Sequence, residues 1–260
     1  MNWRLAAVGG AAGLLSGLLG IGGGIIIVPG LIWAAGLDRH TASGTSLVAI
    51  LPIAGVAAVT YAVVPGGAFD AEASAIFVIG SLAGAVLGAR VNARVSERAL
   101  RLAMAIIIGI FGLRLVIPLG FGAGSDELPL DALTVALLVF LGFQGGFLSG
   151  LLGVGGGAIA IAVMVIATGT SQVLAQGIAL VATLPTVIVG ALAHRRQGTV
   201  ALRPGLTLGL IGMAMAIPGA LVAFAVPVSV LRTGFGVFLL FASFRMFRAL
   251  RSPPVPDPPP

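Results

Sequence analysis

Two glycine-rich stretches contain the residues of this chain best suited to bind a ligand through the backbone. The stretch Ser16-Gly-Leu-Leu-Gly-Ile-Gly-Gly-Gly24 recurs 133 residues later as Ser149-Gly-Leu-Leu-Gly-Val-Gly-Gly-Gly157. Glycine lets the chain take conformations that other residues avoid and lets another group approach the main chain closely. A helix that begins after such a run directs its free N–H groups and positive dipole end at the break. We therefore predict a small-anion site at Gly22, Gly23, Gly24, Gly155, Gly156 and Gly157.

Two other interpretations of these glycines can be compared with this one. Small residues also allow close packing between membrane helices, and that alternative stays open. A nucleotide-binding loop is excluded, because a phosphate loop ends in Gly-Lys-[Ser/Thr] and the chain contains no lysine. A dinucleotide fingerprint would need a soluble strand–turn–helix unit, for which this apolar sequence offers no context.

Polar side chains near the two breaks are candidate ligand contacts. Thr45 and Ser46 lie in an otherwise apolar segment, where their hydroxyls could bind substrate or bond to their own helix. The second copy has isoleucine and alanine at the equivalent positions, and its nearby polar residues are Gln176 and Thr183. We expect all four to contribute to the site, and the loss of the Thr-Ser pair predicts that the two copies act unequally.

The elements that must position these residues are apolar and numerous. Hydrophobic residues make up 58% of the chain, charged residues only 8%, and the mean hydropathy is +1.16, whereas a soluble domain is about a quarter charged. Apolar segments run at 4–19, 25–36, 43–64, 73–90, 102–119, 131–152, 157–168, 173–193, 204–223 and 229–247. We predict an all-α integral membrane protein of about eight to ten such segments.

The segments 25–36 and 157–168 are too short to cross a bilayer unaided, and each directly follows a Gly-Gly-Gly. They are therefore expected to be broken or re-entrant half-helices. Pro52 and Pro185 occupy equivalent places in the next segment of each copy, where a proline kinks a helix. They are candidate hinges or architectural bends.

Arginine placement predicts the topology. The net charge of +6 comes from arginines in a few loops and at the C-terminus, so we interpret it as setting orientation rather than binding nucleic acid. With arginine-rich loops 90–101 and 194–203 in the cytoplasm, both termini are cytoplasmic and the two repeats have inverted topology. Charge parity does not decide whether the glycine breaks form re-entrant hairpins or full crossings.

The predicted organisation is a first membrane repeat at 1–122, a second at 123–248, and a disordered proline-rich cytoplasmic tail at 249–260. The chain has no cysteine, two histidines and eight acidic residues, with no paired His-Glu motif. We therefore predict no metal, no cofactor and no enzyme activity.

At these residues the chain resembles the sulfite exporter TauE/SafE family of bacterial membrane permeases. The resemblance lies in the doubled Gly-Leu-Leu-Gly-[Ile/Val]-Gly-Gly-Gly, in Pro29, in Ala42-Ser-Gly-Thr-Ser-Leu47, and in the turns Gly67-Ala-Phe-Asp70 and Gly198-Thr-Val. The second copy departs from the pattern at Ala162, which replaces the proline, and at Ile178-Ala179. The resemblance implies transport of sulfite, sulfonates or related anions across a bacterial inner membrane.

The expected function is secondary transport of a small sulfur-containing oxyanion by alternating access. Paired, interrupted segments in two inverted halves are the sequence pattern of secondary transporters, whose sites lie near the midplane. The expected partners are the small anion and the lipid bilayer, with a coupling proton or sodium ion and a homo-oligomer left open. The alternatives are a transporter of a carboxylate, cation or hydrophobic compound, and a non-transporting scaffold or accessory subunit.

Overall fold

The computed structural model describes residues 3–64, 69–91, 97–117, 124–152 and 157–251. Within these ranges the chain forms ten α-helices: α1 (Trp3–Leu19), α2 (Gly24–Ala35), α3 (Arg39–Val63), α4 (Ala71–Val91), α5 (Glu97–Val116), α6 (Ala132–Leu152), α7 (Gly157–Thr168), α8 (Gln172–Arg196), α9 (Leu202–Ala225) and α10 (Val228–Arg251). The predicted all-α class is confirmed. Helix α10 continues to Arg251, into the segment predicted as a tail, and 252–260 lie outside the described residues.

The chain is a multi-pass membrane protein. Among the described residues, six helices are long and apolar enough to cross a bilayer: α3, α4, α6, α8, α9 and α10. Their outward surfaces keep large apolar side chains exposed, including Val59, Ile79 and Leu133. Lipid tails are the natural solvent for such surfaces, because helices that are apolar around their circumference have no face suited to water.

The two halves repeat the same five helices in the same order. The bounds of α7 and α8 differ from those of α2 and α3 by 133 residues at both ends, which is the spacing of the glycine motifs. Packing is reciprocal as well: α1 lies against α9, and its counterpart α6 lies against α4. Helix α3 contacts its own counterpart α8, and α5 contacts its counterpart α10.

Small residues bring the helices of different repeats into backbone contact. A side-chain carbon on Gly13 would overlap the carbonyl of Gly212, and one on Gly17 would overlap that of Ala216. In the α4–α6 pair the same holds for Gly84 against Phe143. Close packing therefore explains part of the glycine content, including Gly17 inside the first motif, as the small-residue rule for membrane helices anticipates.

Helix α2 folds back along α1, so the first glycine break is the turn of a helical hairpin. Gly23 lies beside Ala12, and further along α2, Gly30 lies against Val8. At the open end, the rings of Trp3 and Trp33 meet edge to face at 6.3 Å. Both ends of the hairpin are therefore at one level, which favours the re-entrant alternative for this repeat over two full crossings.

Helices α3 and α8 run antiparallel through the centre of the molecule. Gly44 near the start of α3 contacts His194 near the end of α8. Further along α3, a Cβ built on Gly55 would lie 3.7 Å from the side chain of Leu184. Pro52 and Pro185 lie inside these two helices. Every residue from Ser171 to Leu180 is buried, so the first half of α8 forms the core around which the breaks are placed.

Candidate functional site

The first glycine break is a four-residue turn, and three of its residues are glycines with positive φ angles. Gly20, Gly22 and Gly23 have φ angles of 69°, 72° and 77°, in the left-handed region that favours glycine. The Gly20 N–H donates to Ser16 O at 2.8 Å, which ends α1. Gly23 O accepts from the N–H groups of Ile26 and Ile27, which begins α2. The predicted break is thus placed between two half-helices.

This break packs directly on α8 of the other repeat. A Cβ built on Gly20 would lie 2.6 Å from Cβ and 2.7 Å from Cγ of Gln176. A Cβ on Gly22 would lie 3.4 Å from Cγ2 of Thr183. Two of the polar residues predicted from the second copy are therefore found beside the glycines of the first.

A buried polar cluster of Tyr61 and Gln176 lies against the same break. The Tyr61 hydroxyl lies 2.9 Å from Gly17 O and 2.7 Å from the amide of Gln176, and both side chains are fully buried. A phenol has one hydrogen to donate. The Tyr61 hydroxyl therefore donates to Gly17 O or to Gln176 Oε1, one at a time. Gln176 Nε2 is buried without a hydrogen-bond partner among the described residues.

The second glycine break borders a cavity. Gly155 and Gly156 lie outside the described residues, and Gly157 is the first residue of α7. The cavity has an empty volume of about 260 Å³, part of it open, and α4, α6, α7 and α8 line it. Its described lining residues are Phe77, Ser81, Gly145, Gly146, Ser149, Gly157, Ala179, Ala182, Thr183 and Thr186.

Hydroxyl groups are the polar side chains of this lining. Thr186 Oγ1 lies 3.1 Å from Ser81 Oγ and 2.7 Å from Ala182 O, which joins α8 to α4. Thr183 donates to Ala179 O at 2.8 Å, and Ser81 donates to Val78 O at 3.0 Å. None of the described lining residues is ionisable, and no group of three or more His, Cys, Asp or Glu that could hold a metal occurs in the described part of the chain.

The two breaks approach each other at this point. A Cβ built on Gly157 would lie 3.8 Å from the carbonyl oxygen of Gly20. Thr183 contributes to both environments, because its methyl group faces Gly22 while the residue lines the cavity. The structure therefore places Gly20, Gly22, Gly157, Gln176 and Thr183 in one region, although they come from both repeats.

Thr45 and Ser46 are placed differently. Both are fully buried, but neither lines the cavity. Thr45 Oγ1 accepts a 2.9 Å hydrogen bond from the N–H of Ala201, which attaches α3 to the residue before α9. Ser46 donates to Ser43 O at 2.7 Å. Their part in ligand binding, like the hinge role of the prolines, stays a prediction.

Sequence reasoning missed three residues of this region: Tyr61, Ser81 and Thr186. Tyr61 and Ser81 lie in helices without a glycine break, and only the packing of α3 and α4 on α8 brings them to the site. Thr186 follows Thr183 by three residues, and this spacing places both on the same face of a helix. The spacing could therefore have indicated Thr186.

Comparison with known proteins gives one family. The family model described as Sulfite exporter TauE/SafE matches residues 1–115 and 138–260, which is nearly the whole chain. No curated protein matches the chain.

Proposed function

The chain belongs to the sulfite exporter TauE/SafE family, and from this premise we propose that it is a secondary transporter of a small sulfur-containing oxyanion, such as sulfite or an organosulfonate. The family is one of membrane transporters, and the six apolar helices suit that function. The proposed location is the inner membrane of a bacterium with both termini in the cytoplasm, as the arginine-rich loops predict.

The observation that carries the proposal is the meeting of the two glycine breaks beside a cavity lined with hydroxyl groups. The first N–H groups of α7 have no partner within their own helix, as at every helix start. Together with the positive dipole end at Gly157, they favour an anion. Serine and threonine hydroxyls can add charge-assisted hydrogen bonds to its oxygens. Such a site binds an anion without a buried cationic side chain.

Alternating access would follow from two inverted repeats that move against each other. The antiparallel contact between the equivalent helices α3 and α8 supports inversion, because equivalent helices of non-inverted repeats would run in the same direction. In this class of fold, substrates bind near the midplane where broken helices of the two repeats meet. A proton or sodium gradient would supply the driving force.

The test is a flux assay in proteoliposomes with imposed proton or sodium gradients. The panel contains ³⁵S-labelled sulfite, an organosulfonate, a dicarboxylate and an organic cation. We expect flux of a sulfur oxyanion, driven by one of the gradients. Folded protein that carries only a carboxylate or a cation would contradict the substrate, and folded protein that carries nothing would support a scaffold.

Two variants connect this flux to the glycine breaks. Gly23→Val and Gly156→Val are expected to reach the membrane and to lose transport. At Gly23 the reason is visible, because φ is 77° and a Cβ would lie 3.0 Å from Ala12 O. Gly36→Val is the matched control, since Gly36 has a φ of 64° but no atom within 4 Å of an added Cβ. Parent-rate flux through both folded break variants would refute the role of the glycines.

A further inference from the structure

The polar lining of the cavity at the second glycine break is only partly repeated at the equivalent positions around the first break. Shifting the lining positions by 133 residues, down for those of the second repeat and up for Ser81 of the first, pairs a polar residue or a glycine with an apolar residue at four places. These pairs are Thr183 with Ile50, Thr186 with Ile53, Ser81 with Ala214, and Gly145 with Ala12. The backbone is thus duplicated, whereas the chemistry of the lining is not.

In the first repeat, side chains fill the corresponding space. Ile50, Ile53 and Ala12 are all fully buried. The end of the Ile53 side chain lies 2.5 Å from the position of a Cβ on Gly212, and Ile50 Cγ2 lies 3.3 Å from that of Gly22. Buried methyl groups offer neither room nor donors to an anion, so an oxyanion there would leave its oxygens without partners.

We propose that the chain has a single substrate seat, built at the second glycine break from Ser81 of the first repeat and Ser149, Thr183 and Thr186 of the second, around the start of α7, and that the first glycine break has none. This inference rests on the proposed transport of an oxyanion and specifies where that anion binds. The first repeat also contributes Phe77 to the lining, and its glycine turn lies nearby, because a Cβ built on Gly157 would be 3.8 Å from Gly20 O.

Three of the four hydroxyl groups of the seat have hydrogen-bond partners within the protein. Thr183 and Thr186 can donate to carbonyl oxygens one turn earlier in α8, and Ser81 does the same in α4. Rotation about the Cβ–Oγ bond redirects each hydrogen to a bound oxyanion, whose charged oxygens are stronger acceptors than amide carbonyls. The empty seat therefore buries no unpaired charge, which is a large cost within a membrane.

The same geometry selects for anions over cations. Hydroxyl oxygens could by themselves accept a cation, but the positive end of the α7 dipole faces the lining at Gly157 and opposes it. Several neutral donors on different helices suit a compact ion with several oxygens, such as sulfite or the head group of a sulfonate. A hydrophobic compound would leave these donors unused.

Equivalent positions in the two repeats give matched variants. Ser149→Ala removes a hydroxyl from the seat, and Ser16→Ala removes its counterpart, whose oxygen is buried without a partner. Thr183→Val removes a hydroxyl at constant shape. Its counterpart in the first repeat is Ile50, so the control is Thr60→Val, whose hydroxyl donates to Val56 O of its own helix. Size-exclusion profiles and melting temperatures in detergent verify folding of all four.

We expect Ser149→Ala and Thr183→Val to raise the KM for ³⁵S-sulfite about tenfold or more, as loss of a hydrogen bond to a charged group implies. Ser16→Ala and Thr60→Val should stay within about twofold of the parent. Equilibrium binding of ³⁵S-sulfite to the purified protein should saturate at one ion per chain. Equal effects of Ser16→Ala and Ser149→Ala, or two bound ions per chain, would overturn the single seat.

The substrate panel separates this inference from the proposed function. If the parent carries a carboxylate instead of sulfite, the proposed cargo is wrong, and the same four variants, measured with that carboxylate, still decide where it binds. If the parent carries sulfite and the variants of the first repeat are the impaired ones, the function stands and the location is wrong.

Discussion

Replacing Gly20 by alanine should damage the contact between the two repeats more than it damages the local turn. The residue has a φ of 69°, and a left-handed conformation costs a non-glycine residue about 1–2 kcal/mol. Its new Cβ would also lie 2.6 Å from Cβ and 3.0 Å from Cα of Gln176, and the latter atom belongs to the backbone of α8. Overpacking of this kind costs about 1–3 kcal/mol.

Gly36 and Gly169 isolate the second contribution. They are equivalent residues of the two repeats, with φ angles of 64° and 69°, and neither has an atom within 4 Å of an added Cβ. Gly36→Ala and Gly169→Ala should therefore show only the conformational cost of about 1–2 kcal/mol. Gly20→Ala should show the sum, about 2–5 kcal/mol.

The assay combines thermal stability in detergent with sulfite flux in proteoliposomes. We expect Gly20→Ala to melt at a lower temperature than either control and to transport more slowly, because α8 must shift away from the break. If Gly20→Ala and Gly36→Ala have the same melting temperature and the same flux, the close approach of the repeats at Gly20 does not contribute to stability or transport. The reasoning from the geometry would then be wrong.

Three further changes test contacts around this centre. Thr45→Val should destabilise the protein by about 1–3 kcal/mol, because the N–H of the half-buried Ala201 loses its acceptor; thermal melting measures this, and Thr45→Ser should restore it. Tyr61→Phe should cost a similar amount, since the hydroxyl holds both Gly17 O and the amide of Gln176; an unchanged melting temperature would contradict that role. Hydrogen bonds from Thr41, side chain first and backbone second, lower the pKa of Asp38 at the start of α3. Asp38→Ala should therefore cost about 0.5–2 kcal/mol near neutral pH, and the difference from the parent should vanish as the pH falls through that lowered pKa.

The sequence predicted the repeat and the elements well, because both follow from local composition. The segments 157–168 and 25–36 differ from α7 and α2 by at most one residue at either end. A triple glycine ends a helix wherever it occurs, so these bounds need no tertiary information. The direction of α2 could not be predicted from the sequence. The loop charges require an odd number of crossings before the first acidic loop, and both one crossing and three satisfy this. Its return along α1 depends on Gly30 meeting Val8, which is a tertiary contact.

The site could be predicted only in part for the same reason. Gln176 and Thr183 were identifiable as polar residues near a glycine break, and the structure places both against the first one. Ser81 lies in a helix with several unremarkable small residues, and its importance follows only from its 3.1 Å contact with Thr186. Comparing the repeats position by position would have indicated Thr186, because its counterpart is an isoleucine.

A lining without ionisable groups has an electrical consequence. The described lining would move no charge when the empty carrier reorients, so at this site the membrane potential would act only on the loaded half of the cycle, at about 2.3 kcal/mol per elementary charge for each 100 mV. A monovalent anion carried alone would generate a current, whereas one proton accompanying it would cancel that current. The reversal potential of the transport current would then report the ratio of coupling ions to cargo.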